Sequence, residues 1–351
     1  MSYGTINADV MQSSVAGVSL GAGNASIMKN RLINGDMRID QRNAGASVTP
    51  INTAYTLDRW TFELSQASKL TCQQSTVAPV GFNNSMLITS SSAYSIGVND
   101  YFDVQTKIEG FNIADLGWGT ANAKTVTLSF WVQSSLTGTF GGCIKNSAGN
   151  RSYPFSYSIP VANTWTQISV TIAGDTTGTW LTTNGIGIQV IFGLGVGSTY
   201  SGTAGSWAGA NYASATGATS VVGTNGATFY ITGVQLEVGT SATGYEYRQY
   251  QQELALCQRY YQQVGGATNA WLLQGYLAAA SSANSPYSFP VTMRATPTAT
   301  LVGTPNYGNA TGGTFNVASP YGGNIAVGSV SAGSYFFQSS ATSYFTFAAE
   351  L

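Results

Sequence analysis

A regular alternation of apolar and polar residues recurs through the chain and constrains its fold more than any other feature. The segment VTLSFWV, residues 126–132, has apolar residues at every second position, and residues 168–172 and 186–194 repeat the pattern. A period of two is that of a β-strand with one buried face. Several such strands follow one another without a helical pattern between them. The sequence therefore predicts an antiparallel β-sandwich.

The alternation is interrupted at two places. In TFYITGVQLE, residues 228–237, the apolar set changes phase at Gly233, which predicts a β-bulge. Between Gly195 and Gly226 the chain is rich in Gly, Ser and Ala and has no strand pattern. A loop of this length in a compact domain is usually either functional or disordered.

A helical period occurs near the end of the predicted sandwich. Tyr250, Leu254, Cys257 and Tyr261 recur at spacings of three and four, which predicts one stripe of an α-helix. Residues beyond it return to a strand pattern, and the aromatic residues between 335 and 347 can form a small second core. We expect a mainly all-β protein with four segments: an extended arm over 1–28, the sandwich over 29–245, a connecting helix over 246–265 and a small C-terminal β domain over 266–351.

Charged residues are scarce in this chain of 351 residues. They make up 8% of it, and 13 basic against 14 acidic residues give a net charge of −1, whereas soluble domains usually carry about a quarter charged residues. A nucleic-acid partner would require a basic surface, so we expect none. The sequence contains no recognisable secretory signal and no apolar stretch of membrane-spanning length. We therefore expect synthesis in a cytoplasm and no membrane insertion.

The residues that could support catalysis are few. The chain has no histidine, which excludes His-based triads and His metal clusters. Its three cysteines are too few for a disulfide framework and are expected to be buried free thiols. Sugar hydrolysis needs only two suitably spaced acids, and the candidate groups are Asp36 with Asp40, and Asp100 with Asp103 and Glu109. Turn capping or a solvated strand edge is the alternative for each group, and we expect a protein that is not an enzyme.

Binding residues are easier to find. Apolar faces of sugars stack on aromatic rings, while hydroxyl and amide side chains supply hydrogen bonds. Trp207 is the leading candidate contact in the long loop, followed by Tyr200 and Tyr212, and Trp131 falls on the polar phase of its strand. The alternative is that these rings pack beneath the loop or against a neighbouring subunit.

Five segments in this order resemble a family of bacteriophage tail-fibre and minor virion proteins: NRLINGDMRIDQRNAG, YTLDRW, TLSFWVQSSLTGTF, ATFYITGVQLEVGTSAT and YRQYQQELALCQRYYQ. The resemblance covers roughly Asn30 to Gln263, and SFPVTMRATPTAT resembles the small β domain that often follows. It implies a virion protein, made in the bacterial host and exposed on the particle, that attaches to other tail or capsid proteins through residues 1–28. It also implies a homotrimer about the predicted helix, with Tyr250, Leu254, Cys257 and Tyr261 as its packing residues.

The first domain also resembles the carbohydrate-binding jelly rolls that are appended to glycan-degrading enzymes. In such modules an opening strand like LINGDM pairs with a closing strand like ITGVQLE, and a structural calcium often lies nearby. Asn34, Asp36 and Glu237 are the implied oxygen donors, although calcium takes six to eight such ligands and the sequence lacks clustered acids. No other cofactor is expected.

The two resemblances imply a receptor-binding fibre that recognises host surface glycan. The alternatives are a structural, adaptor or capsid-decorating virion protein, and a capsule depolymerase. The charges gathered in residues 30–45 allow two interpretations. Arg38 or Arg42 could meet an acid among Asp36, Asp40, Asp58 and Glu237 and orient the junction with the arm. Alternatively, these are solvated edge charges that block aggregation.

Overall fold

The computed structural model describes residues 28–268 and 270–351. The chain divides into two compact units, and the second begins at Gln249. The predicted N-terminal arm lies outside the described residues, which begin at Met28. Within the described ranges, no helix has the length and apolarity needed to cross a membrane.

The first unit is a sandwich of two antiparallel sheets. Its strands are β1 (Tyr55–Leu57), β2 (Trp60–Leu64), β3 (Leu70–Ser75), β4 (Ser85–Ser90), β5 (Tyr101–Glu109), β6 (Val126–Ser134), β7 (Gly138–Lys145), β8 (Ser152–Ile159), β9 (Thr166–Ile172), β10 (Ile186–Val196), β11 (Ser201–Gly202), β12 (Ser214–Ala215) and β13 (Thr228–Val238). Short 3-10 helices cover Gly110–Asn112, Ala114–Leu116 and Ser198–Tyr200.

The order of these strands is that of a jelly roll. One sheet runs β1-β2-β5-β10-β7-β8 and the other β3-β4-β13-β6-β9. Successive strands repeatedly belong to different sheets, so the chain crosses back and forth between the two layers. The predicted antiparallel jelly-roll sandwich is confirmed.

The alternating apolar residues fill the space between the sheets. Phe62, Phe102, Phe130, Phe192 and Phe229 are all buried in one core. The rings of Phe130 and Phe192 come from opposite sheets and meet edge to face, with their centroids 5.0 Å apart. Burying each such side chain contributes about 2–3 kcal/mol to the free energy of folding. The polar residues of the same strands consequently lie on the two outer faces of the sandwich.

The break in alternation at Gly233 is a bulge, as predicted. The pairing of β13 with β6 shifts register between Thr232 and Gln235, and Gly233 has a φ of 63°. A residue with a Cβ would be strained at this φ and would also collide with the rings of Phe82 and Trp131. Glycine is therefore required at this position.

The segment that opens the sandwich lies beside its closing strand. The Arg31 amide donates to the Leu236 carbonyl, and the Val234 amide donates to the Gly35 carbonyl, both at 2.9 Å. The predicted neighbourhood of LINGDM and ITGVQLE is confirmed, although the first of them forms bends rather than a regular strand.

The charges of the opening segment have specific partners. Arg38 Nε lies 2.7 Å from a carboxylate oxygen of the buried Asp36, and the Arg38 guanidinium also donates to the Arg248 carbonyl at 2.7 Å. Arg31 makes a two-pronged ion pair with Asp115. The predicted meeting of Arg38 with an acid is confirmed, and the Arg38–Asp36 pair is largely buried, whereas Asp115 of the second pair is 48% exposed.

The long loop lies on the outer face of the six-stranded sheet, the face turned away from the core. The Thr219 amide donates to the Thr139 carbonyl of β7 at 2.7 Å. A Cβ at Gly193 would lie 2.7 Å from Ser214 Oγ, and one at Gly141 would collide with the same hydroxyl. Because these two sheet residues have no side chains, the loop approaches the sheet closely.

The second unit contains the helix and nine strands. These are α1 (Tyr250–Gln258), β14 (Tyr261–Gly265), β15 (Ala270–Leu277), β16 (Ser281–Ser288), β17 (Thr298–Val302), β18 (Asn306–Gly308), β19 (Thr314–Ser319), β20 (Gly322–Val330), β21 (Gly333–Ser339) and β22 (Tyr344–Ala348). They form three-stranded sheets in the orders β14-β22-β17, β15-β21-β18 and β16-β20-β19. Phe337, Phe345 and Phe347 are buried in its core, so the predicted small second core is confirmed.

The helix differs from its prediction. The predicted range 246–265 is too long, because α1 has nine residues and ends at Gln258. Tyr261 begins β14 and pairs with Ala348. The interstrand hydrogen bonds with β22 satisfy the backbone groups that a longer helix would have bonded internally, so tertiary pairing overrides the helical period.

The four predicted stripe residues do not share one buried face. Cys257 is fully buried, Leu254 is partly buried and Tyr250 is 52% exposed. Tyr261 is buried, but on a strand. Cys72, Cys143 and Cys257 are buried, as predicted, and within the described residues none of them forms a disulfide.

Candidate functional site

A cavity of about 150 Å³ lies between the outer face of the six-stranded sheet and the long loop. It is lined by Glu63, Tyr101, Asp103, Lys145, Tyr200, Asn211 and Ala213. The first four come from β2, β5 and β7, and the other three come from the segment after β10. A cavity of roughly this volume holds a single six-membered ring.

Two acids in the cavity result directly from the strand pattern. Phe62 and Phe102 point into the core. Because successive side chains of a strand alternate between its two faces, the next residue on each strand points outward. Glu63 of β2 and Asp103 of β5 are directly opposite each other in the antiparallel ladder. Cross-strand neighbours have Cβ atoms about 4.5–5.5 Å apart, and two like charges in this arrangement destabilise a sheet.

Asp103 is an unusual residue. It is 2% exposed, and its Oδ1 has no hydrogen-bond partner in the described part of the chain. Burial, followed by the neighbouring Glu63 carboxylate, raises the pKa of Asp103 well above its ordinary value, and Lys145 and Lys107 only partly oppose this. The Asp103 carboxyl therefore keeps its proton to higher pH than an exposed aspartate does.

A cationic side chain comes from a more distant strand. Lys145 is 7% exposed, and its Nζ donates to Asn211 Oδ1 at 3.2 Å. Among residues 28–268 and 270–351, no ion pair joins Lys145 to Glu63 or Asp103. The cavity thus presents separate groups: a carboxyl pair, and an ammonium held by an amide.

Two tyrosine rings complete the lining. Tyr101 and Tyr200 meet edge to face with centroids 5.4 Å apart and planes at 83°. Burial and the nearby Glu63 raise the pKa of the Tyr101 hydroxyl, which places this ring in the field of the acids. The cavity therefore combines aromatic surface, carboxyl acceptors and amine and amide donors.

Trp207, the leading candidate from the sequence, lies in a different cluster. Its ring centroid is 5.4 Å from those of both Trp118 and Trp180 and 5.2 Å from that of Tyr153. Its indole N–H donates to the Ala173 carbonyl at 2.8 Å. This ring holds the loop onto the sandwich, which is the packing alternative considered for it.

The structure does not gather the four predicted aromatic residues into one surface. Tyr200 lines the cavity. Tyr212 packs over Gly202 and against the small apolar cluster beneath the loop. Trp131 lies on β6 of the other sheet, paired with Thr232.

The three implied calcium ligands each have other partners. Asn34 bonds the backbone of Ile39 through both its amide and its carbonyl oxygen, Asp36 pairs with Arg38, and Glu237 accepts from the amide and hydroxyl of Thr243. Within the described residues, no group of three or more acids or cysteines is arranged to hold a metal ion.

The candidate catalytic acids lie in separate environments. Asp100 accepts hydrogen bonds from Ser65, Tyr94 and the Gly97 amide and thereby orders a turn. Asp40 accepts from the amides of three residues that follow it in its own turn. Asp103 faces Glu63, a partner absent from the sequence-based pairs. A signal for this pair was present, because both acids occupy the polar phase of their strands.

Comparison with known proteins gives structural similarities of low score. No protein-family model matches the sequence, and no curated protein is similar to it at a significant level. The enzymatically active domain of tailspike protein 4 from bacteriophage CBA120 is 13% identical, with a TM-score of 0.34 over 60% of this chain. The chain spans only 22% of the length of that domain.

Two carbohydrate-binding modules are similar in structure to part of this chain. A family 11 module from Clostridium thermocellum, in complex with a mixed-linked β-1,3-1,4 tetrasaccharide, is 11% identical with a TM-score of 0.29, over 57% of this chain and 100% of that one. The N-terminal cellulose-binding domain of Cellulomonas fimi β-1,4-glucanase C is 11% identical with a TM-score of 0.30, over 57% and 99%. Similarities of this size identify neither a family nor a ligand for this chain.

Proposed function

We propose that this protein recognises a glycan and that the cavity on the outer face of the six-stranded sheet is the binding site. The observation that carries the proposal is the composition of that cavity: two tyrosine rings beside a carboxyl pair, an ammonium and an amide in a volume suited to one sugar ring. Saccharide sites need this combination, because ring faces stack on aromatic surface while hydroxyl groups require both acceptors and donors.

The buried polar groups support binding over a purely structural role. Leaving a buried polar atom without a partner costs about 1–3 kcal/mol, and Asp103 Oδ1 is such an atom. A buried carboxyl group opposite a second acid therefore costs stability in the free protein, which supports a role for this cavity beyond folding.

We further propose that the protein binds without cleaving. Hydrolysis requires room for a sugar ring on each side of the bond between the two acids, and the cavity is of single-ring size. The Glu63 and Asp103 pair is nevertheless the observation that favours a depolymerase as an alternative. Release of reducing ends from a bound polysaccharide, lost in Glu63→Gln and in Asp103→Asn, would require that alternative.

The biological setting that we propose is a phage particle. The five segments that resemble tail-fibre proteins support a virion protein that attaches through its first residues and recognises host surface polysaccharide. The second unit supports association into a trimer, because its three-stranded sheets and small aromatic core would gain burial from sister copies. A measured solution mass of one chain rather than three would contradict the trimer.

A structural or adaptor role in the virion is the second candidate. It is favoured by three large side chains of the second unit that are exposed, namely Trp271, Tyr276 and Tyr321. Exposed aromatic residues are common at protein interfaces. Location of these rings against another virion protein in the intact particle, with the cavity covered, would favour this role.

The test of glycan recognition is a binding measurement with the purified protein against a panel of bacterial envelope polysaccharides and oligosaccharides. We expect binding to a subset of the panel and loss of that binding in Tyr200→Ala. Tyr321→Ala is the matched control, because it removes an aromatic ring that is 68% exposed on the second unit. Failure of the wild-type protein to bind any member, or equal losses in the two variants, would contradict the proposal.

A further inference from the structure

The carboxyl pair in the cavity restricts which sugars the cavity can bind. Glu63 and Asp103 are directly opposed across the β2–β5 ladder, and both line the cavity. Neither acid has an ion-pair partner among the residues that the structure describes. Two carboxyl groups at this spacing repel each other unless a proton or a positive charge lies between them.

A neutral sugar would relieve this repulsion only in part. Its hydroxyl groups donate hydrogen bonds to the carboxyl oxygens but bring no charge. An ammonium group donates up to three hydrogen bonds and also brings a positive charge, which offsets the negative charge of the pair. Glu63 is the partly exposed member of the pair and offers the accessible carboxylate, whereas Asp103, which is 2% exposed, adds its carboxyl group behind it at the cavity wall.

The rest of the lining fits the same ligand. The Tyr101 and Tyr200 rings stand beside the acids, and an ammonium over a tyrosine face gains a further attraction. Lys145 lies on β7 and donates to Asn211 of the long loop, whereas the two acids lie on β2 and β5. In the sheet, β10 separates β7 from β5. Lys145 and Asn211 can therefore serve the hydroxyl oxygens of the ring while the acids hold its amine.

We propose that this cavity selects a sugar with a free amino group, and that the juxtaposed Glu63 and Asp103 carboxyl groups discriminate against its N-acetylated and its neutral counterparts. This inference rests on the proposed glycan recognition and narrows it to amino sugars. N-acetylation removes the charge and adds an acyl group that has no place between two acids, and a hydroxyl at the same carbon removes the charge alone.

The experiment compares three tetrasaccharides by titration calorimetry with the full-length protein. They are the β-1,4-linked oligomers of glucosamine, of N-acetylglucosamine and of glucose, which share a backbone and differ at one substituent per ring. We expect the glucosamine oligomer to bind at least ~10-fold more tightly than the other two, which corresponds to the removal of one favourable charge contact. Glu63→Gln should reduce this ratio to within about twofold.

Two variants keep the result interpretable. Tyr200→Ala should weaken the binding of all three oligomers by a similar factor, because it removes ring surface and no charge. Asp103→Asn keeps the shape of the buried side chain and should lower the ratio as Glu63→Gln does. Retention of native thermal unfolding in each variant separates a loss of selectivity from a loss of folding.

The outcomes distinguish the two levels of the proposal. Equal binding of the amino and N-acetylated oligomers, or a preference that survives Glu63→Gln, would overturn amino-sugar selection and leave glycan recognition standing. Absence of binding to all three oligomers and to every polysaccharide of the wider panel would overturn both. A preference lost in both acid variants would establish the pair as the residues that determine specificity.

Discussion

Two aromatic clusters lie beneath the same long loop, and they differ in how completely their polar groups are used. In the cluster around Trp207, the three tryptophan rings contact one another with centroids 4.7–5.4 Å apart, and the indole N–H groups of all three donate to backbone carbonyls. Around Tyr101 and Tyr200, a cavity remains, and Asp103 Oδ1 has no hydrogen-bond partner within residues 28–268 and 270–351.

We infer from this difference that the Trp207 cluster anchors the loop and that the Tyr101 and Tyr200 cavity is suited to binding. A fully bonded ring contributes to stability and has little left to offer a ligand, whereas an unsatisfied polar group next to ring surface lowers stability and favours an occupant. Aromatic residues that look alike in the sequence therefore have different roles in the structure.

Trp207→Ala should produce the largest loss of stability. Removing the ring leaves a hole beside Trp118 and Trp180 and frees the loop, so we expect the free energy of unfolding to fall by about 2–3 kcal/mol. Urea denaturation of the variant measures the loss, with Trp271→Ala on the second unit as the control. Unchanged stability together with lost glycan binding would reverse the roles of the two clusters.

Tyr200→Ala should have the opposite profile. We expect the affinity for a bound glycan to fall about 10-fold, equal to about 1.4 kcal/mol, with the free energy of unfolding changed by less than about 1 kcal/mol. Calorimetric titration and urea denaturation of the same sample measure both quantities. Tyr200→Phe separates the ring from the hydroxyl, since it should retain most of the affinity if stacking dominates. A large loss of stability in Tyr200→Ala would mean that Tyr200 holds the loop in place, as Trp207 does.

Asp103→Asn should reduce the dependence of stability on pH. Because the pKa of Asp103 is raised in the folded state, its contribution to stability is fully present below the ordinary pKa of an aspartate. That contribution is lost as pH rises through the raised value. The variant lacks this titration, so its melting temperature should fall less between about pH 4 and about pH 8, by about 2–4 °C. Parallel curves of melting temperature against pH for the two proteins would mean that Asp103 is already charged in the folded state and is balanced by nearby cations.

Cysteine alkylation tests whether the long loop covers Cys143, and its expected effect is the smallest of the four. Burial raises the pKa of the Cys143 thiol, which is covered by the loop, to about 12, and that of Cys72 in the sandwich core also to about 12. Neither should react with iodoacetamide at neutral pH in the native protein. Gly193→Ala should push the loop away and expose Cys143 alone. Equal labelling of both thiols would indicate global unfolding instead of loop displacement.

The sequence predicts the sandwich well and the site poorly, for identifiable physical reasons. Alternation over β6 and β10 and the phase change at Gly233 are local signals, so the strands and the bulge could be predicted. The pairing of Glu63 with Asp103 depends on which strands become neighbours, and the two acids are forty positions apart in the chain. The end of the helix was missed because the pairing of Tyr261 with the last strand is equally non-local.

Gly141 and Gly193 let the long loop rest directly on the backbone of the sheet. Since the loop rests on backbone there, its packing depends little on matching side chains across that contact. Segments of different length or chemistry could replace it while the layers below keep their shape. A different loop would change only one wall of the cavity, because Glu63 and Asp103 belong to the sheet and would stay in place.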